Sequence, residues 1–234
     1  KITQSDIDYF VQILGDRFVH FDAENLQRCA ADHTEDFSFL PEIVLQPMAT
    51  EQISSIMRYC FEQNIAVTPR GAGTGLSGGA LPVMGGVALD MRLMNKIVKL
   101  DIDNFQVTVE PGMITEELQN AVQEKGLYYP PDPASRGSCF IGGNVAENSG
   151  GPRAVKYGVV KDYVLNLEMV LPNGEIIWTG ANTLKNATGY NLTQLIVGSE
   201  GTLGVVTKIV LRLIPAVKHN LLLLIPFRKT EDAC

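Results

Sequence analysis

The segment from Thr68 to Gly79, TPRGAGTGLSGG, combines residue types that predict binding of a phosphorylated ligand. Gly73, Gly75 and Gly78 have the spacing G-x-G-x-x-G, which binds a dinucleotide when a strand precedes it and a helix follows it. The residues that follow, GALPVMGGVALDM, contain a proline and paired glycines and cannot form a helix of useful length. The sequence therefore argues against an NAD-binding Rossmann unit, and the absence of a Lys-Ser/Thr pair excludes a Walker A loop.

A glycine loop without a following helix can still bind an anion. Glycines permit backbone dihedrals at which successive N–H groups point at one phosphate group. Arg70 adds a fixed positive charge beside the loop. A merely flexible loop is the alternative interpretation, although the small residues lie between two predicted strands. The segment predicts phosphate binding by backbone N–H groups.

A second segment, residues 130–161, has a similarly unusual composition. It contains PPDPASRGS and IGGNVAENSGG, which predict a long loop, and its basic residues outnumber its acidic ones in an otherwise acidic protein. The excess could balance a diphosphate, while Lys156 and Lys161 are equally well explained as solvated side chains. Asn144 and Asn148 offer donors and acceptors to a flat ligand or cap local turns.

A third loop, GSEGTLG, occupies residues 198–204. Its Glu200 could accept a hydrogen bond from a ribose or from neighbouring backbone. Each loop alone is a weak indication of a ligand. All three in one chain of this length are a much stronger one.

The composition is that of a globular protein, with 45% hydrophobic residues among 234. The net charge of −7 argues against a nucleic-acid partner. The longest apolar run, Leu221 to Pro226, is too short for a membrane helix, so we expect a buried strand there and no transmembrane segment. Four cysteines without C-x-x-C spacing predict reduced thiols, no metal site in this chain and a cytoplasmic location.

Periodicity predicts helices and strands that alternate early and hairpin-like strands later, which is typical of an α+β chain in two subdomains. The division is expected near Lys99 to Asn104. The predicted elements are helices capped by Ser5, Thr50, Thr115 and Thr230, a short helix over 191–197, strands in PEIVLQP, IAVTP, GVALDM, FQVTVEPG and VVTKIVLRLIP, and a hairpin turning at Pro172 to Gly174.

The motifs PRGAGTGLSGGALP, YYPPDPASRGSCFIGGNVAENSGGPRAVKYG and GSEGTLGVVT resemble those of the FAD-linked oxidase family. The FAD-binding domain of this family is named PCMH-type, after para-cresol methylhydroxylase, and also occurs in vanillyl-alcohol oxidase. Within the family, the motifs are most similar to the branch that holds one subunit of glycolate oxidase, together with the D-lactate and D-2-hydroxyglutarate dehydrogenases. The resemblance implies an α+β, PCMH-type FAD-binding domain over 41–215. FAD would lie between its two α+β subdomains, about 41–100 and 101–215. Residues 1–40 would be a helical lead-in and 216–234 the start of a C-terminal cap domain.

The resemblance also implies roles for the loops. By position, 69–75 would hold the diphosphate and 76–79 would continue the wall. Residues 132–138 and 141–145 would line the diphosphate, ribityl chain and flavin ring, and 198–206 would contact the adenosine side. The candidate cofactor-binding residues are Pro69, Arg70, Gly71, Ala72, Gly73, Thr74, Gly75, Leu76, Ser77, Gly78, Pro131, Asp132, Pro133, Ser135, Gly137, Ser138, Ile141, Gly142, Gly143, Asn144, Val145, Asn148, Gly150, Glu200, Gly201, Gly204, Val205 and Val206.

The attachment of the flavin is expected to be non-covalent. Relatives with a covalent flavin often carry histidine in the first loop, where this sequence has Thr74. Cys139 is a conceivable thioether donor, but a small buried thiol is the favoured interpretation.

The reaction implied by the resemblance is hydride removal from a small-molecule 2-hydroxy acid to FAD, giving a 2-oxo acid. This chemistry needs a base and cations for the carboxylate. His20, His33 and His219 lie outside the three motifs, so no catalytic residue is assigned in this chain. In relatives the substrate arginine, the histidine base and the metal ligands lie in the cap domain. We therefore expect the FAD half of a longer enzyme, catalytically incomplete alone, with any divalent metal in the cap domain.

The expected partners are an electron acceptor or further subunits, and membrane association would arise only through them. Two alternatives remain open from the sequence. One is another PCMH-fold FAD oxidoreductase, such as an alcohol or phenol oxidase or a lipid synthase. The other is a non-catalytic FAD-binding electron-relay subunit.

Overall fold

The computed structural model describes residues 1–34, 36–219, 221 and 223–233. The elements of its first subdomain are α1 (Gln4–Leu14), β1 (Val19–His20), α2 (Ala23–Arg28), β2 (Ile43–Leu45), α3 (Thr50–Gln63), β3 (Val67–Arg70) and β4 (Val87–Asp90), with 3₁₀ turns at Asp16–Phe18 and Met91–Leu93. The strands form a four-stranded sheet in the order β1-β2-β4-β3. The pairings of β4 with β2 and with β3 are parallel, and the edge strand β1 is antiparallel to β2.

The elements of the second subdomain are β5 (Ile97–Asp101), β6 (Gln106–Val109), α4 (Thr115–Gln123), β7 (Leu127–Tyr128), α5 (Ile141–Glu147), α6 (Ala154–Tyr157), β8 (Val164–Val170), β9 (Ile176–Trp178), α7 (Leu192–Ile196), β10 (Val205–Arg212) and β11 (Ile214–Pro215), with 3₁₀ turns at Val160–Asp162 and Thr230–Asp232. Its main sheet is five-stranded and antiparallel, in the order β5-β6-β10-β8-β9, beside a small pair β11-β7. The boundary between subdomains was predicted near Lys99 to Asn104. This range begins within β5, the first strand of the second sheet, which pairs with β6.

The N-terminal helix α1 starts earlier than predicted. Thr3, not Ser5, is its N-cap, because the Thr3 side chain accepts from the Asp6 N–H while the Asp6 carboxylate accepts from the Thr3 N–H. Gly15 ends the helix with φ +88°, as expected. Phe10 is fully buried against the first sheet, so the lead-in packs into the core of the first subdomain.

Helix α3 begins at Thr50, but the predicted cap is wrong. Its N-cap is Ala49, without a side-chain hydrogen bond. The Thr50 hydroxyl donates instead to Glu168 on β8, at 2.8 Å. The helix thereby connects the two sheets. Two other predicted caps are also wrong, since α4 follows Ile114 and the last 3₁₀ turn follows Lys229.

The hairpin of β8 and β9 turns at Pro172 to Gly174, as predicted, and docks on α3. The Ser54 hydroxyl donates to the Gly174 carbonyl at 2.6 Å. The core of the first subdomain also includes Val170 and Val205 of the second sheet. Each such burial contributes about 1.5–3 kcal/mol. The apolar contact between the sheets therefore keeps the two subdomains together.

Two sequence predictions are wrong for reasons of tertiary packing. IGGNVAE, predicted as loop, is the helix α5, because Ile141 and Val145 bury on one face and this burial outweighs the low helix propensity of glycine. The run from Leu221 to Pro226 is not a buried strand. Its described residues form no ladder, and Leu221 and Leu224 are exposed because no described element covers them. Leu222 lies outside the described residues.

Candidate functional site

The three predicted loop segments meet in one cleft between the two subdomains. It holds about 1060 Å³ of empty space, part of it open to solvent. The predicted site residues that line the cleft are Pro69, Arg70, Gly71, Ala72, Gly73, Thr74, Gly75, Ser135, Gly142, Gly143, Asn144, Val145, Glu200, Gly201, Gly204, Val205 and Val206.

Other predicted residues are not part of the cleft lining. Asp132 pairs with Arg153, whose Nε lies 3.2 Å from Oδ2, and Asn148 accepts from the Lys161 N–H. Ile141 is buried in the core of the second subdomain. These side chains make contacts within the chain that stabilise the conformation of the loops. The residues outside the lining are Leu76, Ser77, Gly78, Pro131, Asp132, Pro133, Gly137, Ser138, Ile141, Asn148 and Gly150.

The first glycine loop connects two adjacent parallel strands without a helix. β3 and β4 pair from Val67 to Arg70, and residues 71–86 between them contain turns but no helix. The structure therefore confirms that the G-x-G-x-x-G spacing is not part of a Rossmann unit. Gly73 has φ +74°, and a Cβ there would overlap the Arg70 guanidinium, so this turn requires glycine.

The Arg70 side chain lies beneath the first glycine loop and is only 6% exposed. Its guanidinium donates to the carbonyls of Ala31 at 2.7 Å, Arg28 at 3.2 Å, Ala80 at 3.3 Å and Cys29 at 3.4 Å. Burial lowers the pKa of Arg70 below its ordinary value. The predicted fixed charge is thus present, but its hydrogen bonds fasten backbone segments to the loop.

Gly142 and Gly143 of α5 have different reasons for lacking a side chain. A Cβ at Gly142 would lie 2.6 Å from Pro111 Cβ, so packing within the chain requires glycine. A Cβ at Gly143 would meet no atom within 4 Å, and its backbone does not have positive φ. Nothing in the described chain demands glycine at this cleft-lining position. A ligand that closely approaches α5 would require glycine at this position. The cleft wall at Gly143 therefore fits a flat cofactor.

Asn144 and Cys139 join the cleft wall to helix α4. Asn144 Nδ2 donates to Thr115 Oγ1 at 2.7 Å, and that oxygen lies 3.2 Å from Cys139 Sγ. Cys139 is a buried free thiol, as are Cys29 and Cys60, whereas Cys234 lies outside the described residues. The network holds the second segment in one orientation relative to the rest of the cleft.

Two carboxylates lie at the contact between the first loop, α5 and the third loop. Glu147 Oε1 accepts from Ser77 Oγ at 2.8 Å. A Cβ at Gly79 would lie 3.3 Å from Glu147 Oε1 and 3.7 Å from Glu200 Oε2. Glu200 has φ +54°, a left-handed conformation that is rare outside glycine. All three segments therefore approach one another at this corner.

Several cleft-lining residues were missed by the reasoning from sequence. Glu147 follows Gly143 by four residues on the same face of α5, a signal that was hidden because the segment was predicted as loop. Asp32 comes from the N-terminal lead-in and had no such signal. The missed residues are Asp32, Ala80, Met91, Pro111, Phe140, Ala146, Glu147, Ser149 and Ile196. Gly79 and Ser199 lie within the predicted ranges 76–79 and 198–206 without having been named singly, and Cys139 was considered without being assigned.

The histidines do not line the cleft. His20 hydrogen-bonds to Gln46 at 3.0 Å, and the His33 backbone N–H donates to the Gly75 carbonyl. Among residues 1–34, 36–219, 221 and 223–233, no group of three His, Cys, Asp or Glu side chains could hold a metal ion. The same residues contain no helix that is long and apolar enough to cross a membrane.

Comparisons with known proteins agree with the predicted resemblance. Residues 41–180 match the family described as FAD binding domain. Glycolate oxidase subunit GlcD of Bacillus subtilis (strain 168) is 43% identical over 234 residues, which cover 99% of this chain and 49% of that protein. D-lactate dehydrogenase of Anaerostipes hadrus is 41% identical over 237 residues, with coverage of 99% and 49%. The chain thus spans about half the length of these relatives.

A solved structure supports the fold. Alkyldihydroxyacetonephosphate synthase matches with a TM-score of 0.81 over 94% of this chain and 42% of that chain, at 24% identity. At this identity the likeness concerns the fold alone. It confirms the predicted α+β class.

Proposed function

The chain belongs to the family of FAD binding domains, with the PCMH-type fold that its motifs predicted, and from this premise we propose that it is the FAD-binding portion of a flavin-dependent D-2-hydroxy-acid dehydrogenase. The observation that carries the proposal is the cleft in which three glycine-containing loops meet between two sheets. FAD bound there supplies the hydride acceptor that converts a 2-hydroxy acid to a 2-oxo acid.

The residues of the cleft have distinct tasks in this proposal. The first loop, 71–75, offers backbone N–H groups to the diphosphate, and the buried charge of Arg70 lies beneath it. Gly143 lets the cofactor approach α5 closely. Apolar walls from Met91 and Ile196 exclude water from the bound cofactor. Attachment is non-covalent, since Thr74 lines the cleft where a covalent relative would carry histidine.

The substrate class follows from the relatives. Glycolate and D-lactate, in the names of the two relatives above, are both small 2-hydroxy acids. In the proposed enzyme, the groups that bind and deprotonate the substrate lie in a further part of the protein, because no histidine of this chain lines the cleft. An electron acceptor or partner subunits reoxidise the flavin. The name of one relative, which identifies it as a subunit of glycolate oxidase, motivates this expectation.

Absorption spectroscopy tests the cofactor assignment. We expect the purified 234-residue protein to show an oxidised-flavin spectrum, directly or after loading with FAD, and to release all of its flavin on denaturation. A colourless protein that cannot be loaded would contradict the proposal. Flavin retained on the precipitated chain would contradict non-covalent attachment.

Anaerobic reduction tests the substrate class. A protein that also includes the second half found in the relatives should lose its flavin absorbance with D-lactate or glycolate and keep it with L-lactate. The 234-residue chain should bind FAD without being reduced by either acid. Rapid reduction of this chain alone would contradict the placement of the substrate groups outside it.

A further inference from the structure

The N-terminal segment 28–34, which we call the strap, lies along the first glycine loop. Two carbonyls at its start, of Arg28 and Cys29, and the carbonyl of Ala31 accept hydrogen bonds from the buried Arg70 guanidinium. The His33 N–H donates to the Gly75 carbonyl at 3.1 Å. The strap precedes residues 41–180, which match the FAD-binding family. Its contacts nevertheless make it part of the loop that walls the cleft.

Asp32 is the strap residue that lines the cleft. One carboxylate oxygen, Oδ1, accepts from the Thr34 N–H at 2.9 Å and from the Thr34 hydroxyl. This local turn fixes the orientation of the side chain. The other oxygen, Oδ2, is buried and has no hydrogen-bond partner among the described residues.

A buried carboxylate oxygen without a donor is energetically costly, and native proteins rarely leave one so. The nearby cation cannot satisfy it, because the Arg70 guanidinium is directed at four backbone carbonyls and forms no ion pair with Asp32 among the described residues. Asp32 lines the cleft, so a ligand bound there can supply the missing donor once a small shift of the side chain exposes Oδ2, which has almost no accessible surface in this structure. A phosphate group offers no proton at neutral pH and would be repelled by the carboxylate. Hydroxyl groups have the required chemistry.

We propose that Asp32 is a cofactor-binding residue whose Oδ2 accepts a hydrogen bond from a sugar or ribityl hydroxyl of the bound dinucleotide. This inference rests on the proposed function, in which the dinucleotide is FAD. The strap thus supplies a fourth binding segment beside the three glycine-containing loops. Arg70 and the Thr34 turn position it.

Titration of Asp32 variants with FAD tests the inference. A hydrogen bond from a hydroxyl to a carboxylate is strong enough that its loss in Asp32→Ala should weaken FAD binding about tenfold or more. Asp103→Ala removes the same charge from an exposed turn and should leave the affinity unchanged. Circular dichroism and urea unfolding without FAD verify that both variants fold. Asp32→Asn keeps an oxygen that can accept from Thr34, so the turn and the strap remain ordered. This variant therefore distinguishes loss of the ligand contact from disorder of the strap.

Partial ligands locate the hydroxyl and provide a second test. FMN carries the ribityl chain and ADP carries the adenosine ribose, so Asp32→Ala should weaken one of these two and spare the other. Where ADP is affected, 2′-deoxy-ADP or 3′-deoxy-ADP should bind wild type and variant alike. Equal FAD affinity of wild type and both Asp32 variants would overturn the inference. Equal weakening of FMN and ADP would also overturn it, because that result indicates a disordered strap. Failure of wild type to bind FAD would instead refute the proposed function.

Discussion

Thr50 at the start of α3 donates a 2.8 Å hydrogen bond to Glu168 in the middle of β8, 118 residues further along the chain. The same carboxylate accepts from Thr207 at 2.9 Å and from Lys208 Nζ at 3.0 Å, both on β10. Glu168 is only 6% exposed. One buried carboxylate therefore connects a helix of the first subdomain with two strands of the second. One of these strands, β10, contributes Val205 and Val206 to the cleft wall.

The stability of the protein should depend on the ionisation of Glu168. Burial by itself raises the pKa of this group, but the hydrogen bonds from Lys208, Thr50 and Thr207 lower it below the ordinary value of 4.5. A lowered folded-state pKa stabilises the protein above the unfolded-state pKa, and this contribution is lost as pH falls through the folded-state pKa. Glu168→Gln should reduce the free energy of unfolding by about 1–3 kcal/mol at neutral pH.

Urea unfolding between pH 7 and pH 3 would measure this effect. The wild type should lose its advantage over Glu168→Gln as the pH falls below about 4.5, the ordinary value for a glutamate. Glu62→Gln, at an exposed position of the same helix α3, is the control and should change stability little. A constant difference between wild type and Glu168→Gln across this range would contradict the prediction.

The two neighbouring glycines of α5 should respond oppositely to alanine. Gly143→Ala should raise stability by about 0.5–1 kcal/mol, because alanine favours helix and the added Cβ meets no atom within 4 Å, yet it should weaken FAD binding about tenfold. Gly142→Ala should lower stability by about 1–3 kcal/mol through its clash with Pro111. FAD titration and urea unfolding of both variants check this. Undiminished FAD affinity in Gly143→Ala would place the cofactor away from α5.

Replacement of Arg70 should release the strap from the first loop. Arg70→Met removes hydrogen bonds to four carbonyls, one in a buried and three in part-buried surroundings, so the free energy of unfolding should fall by about 3 kcal/mol. Limited proteolysis should then cut within 28–34 faster than in the wild type. Arg228→Met, at an exposed position, is the matched control. Wild-type stability and wild-type resistance to proteolysis in Arg70→Met would show that the strap stays packed on the first loop without Arg70, contrary to the prediction.

Two tyrosines in the core of the second subdomain should change the stability of the protein in opposite directions when their hydroxyls are removed. The Tyr129 hydroxyl is fully buried without a partner among the described residues, and burial raises its pKa. Tyr129→Phe should therefore raise stability by about 1 kcal/mol, because the desolvated hydroxyl disappears. Tyr163→Phe should lower it by about 1 kcal/mol, since the Tyr163 hydroxyl donates to the Tyr157 carbonyl at 2.7 Å. Thermal unfolding of both variants decides whether the order is as expected.

Much of the architecture was predictable because its signals are local. The alternation in FQVTV and the turn at Pro172 to Gly174 specify strands that the structure contains. The residues after Gly78 exclude a helix by their own conformational preferences. Helix α5 was not predictable in this way, because its two glycines disfavour a helix and only burial against the second core stabilises it.

By itself the sequence determined the α+β class, the main strands β2, β3, β4, β6 and β10 and the three loops shared with FAD-linked relatives, because these depend on local propensity and on motifs readable within a few residues. Only the tertiary structure decided that the Arg70 guanidinium, at the cleft wall, donates to four backbone carbonyls, and that Asp32, 38 residues before it, lines the same cleft. Such contacts depend on the packing of segments far apart in the chain, and no local pattern specifies which partners meet.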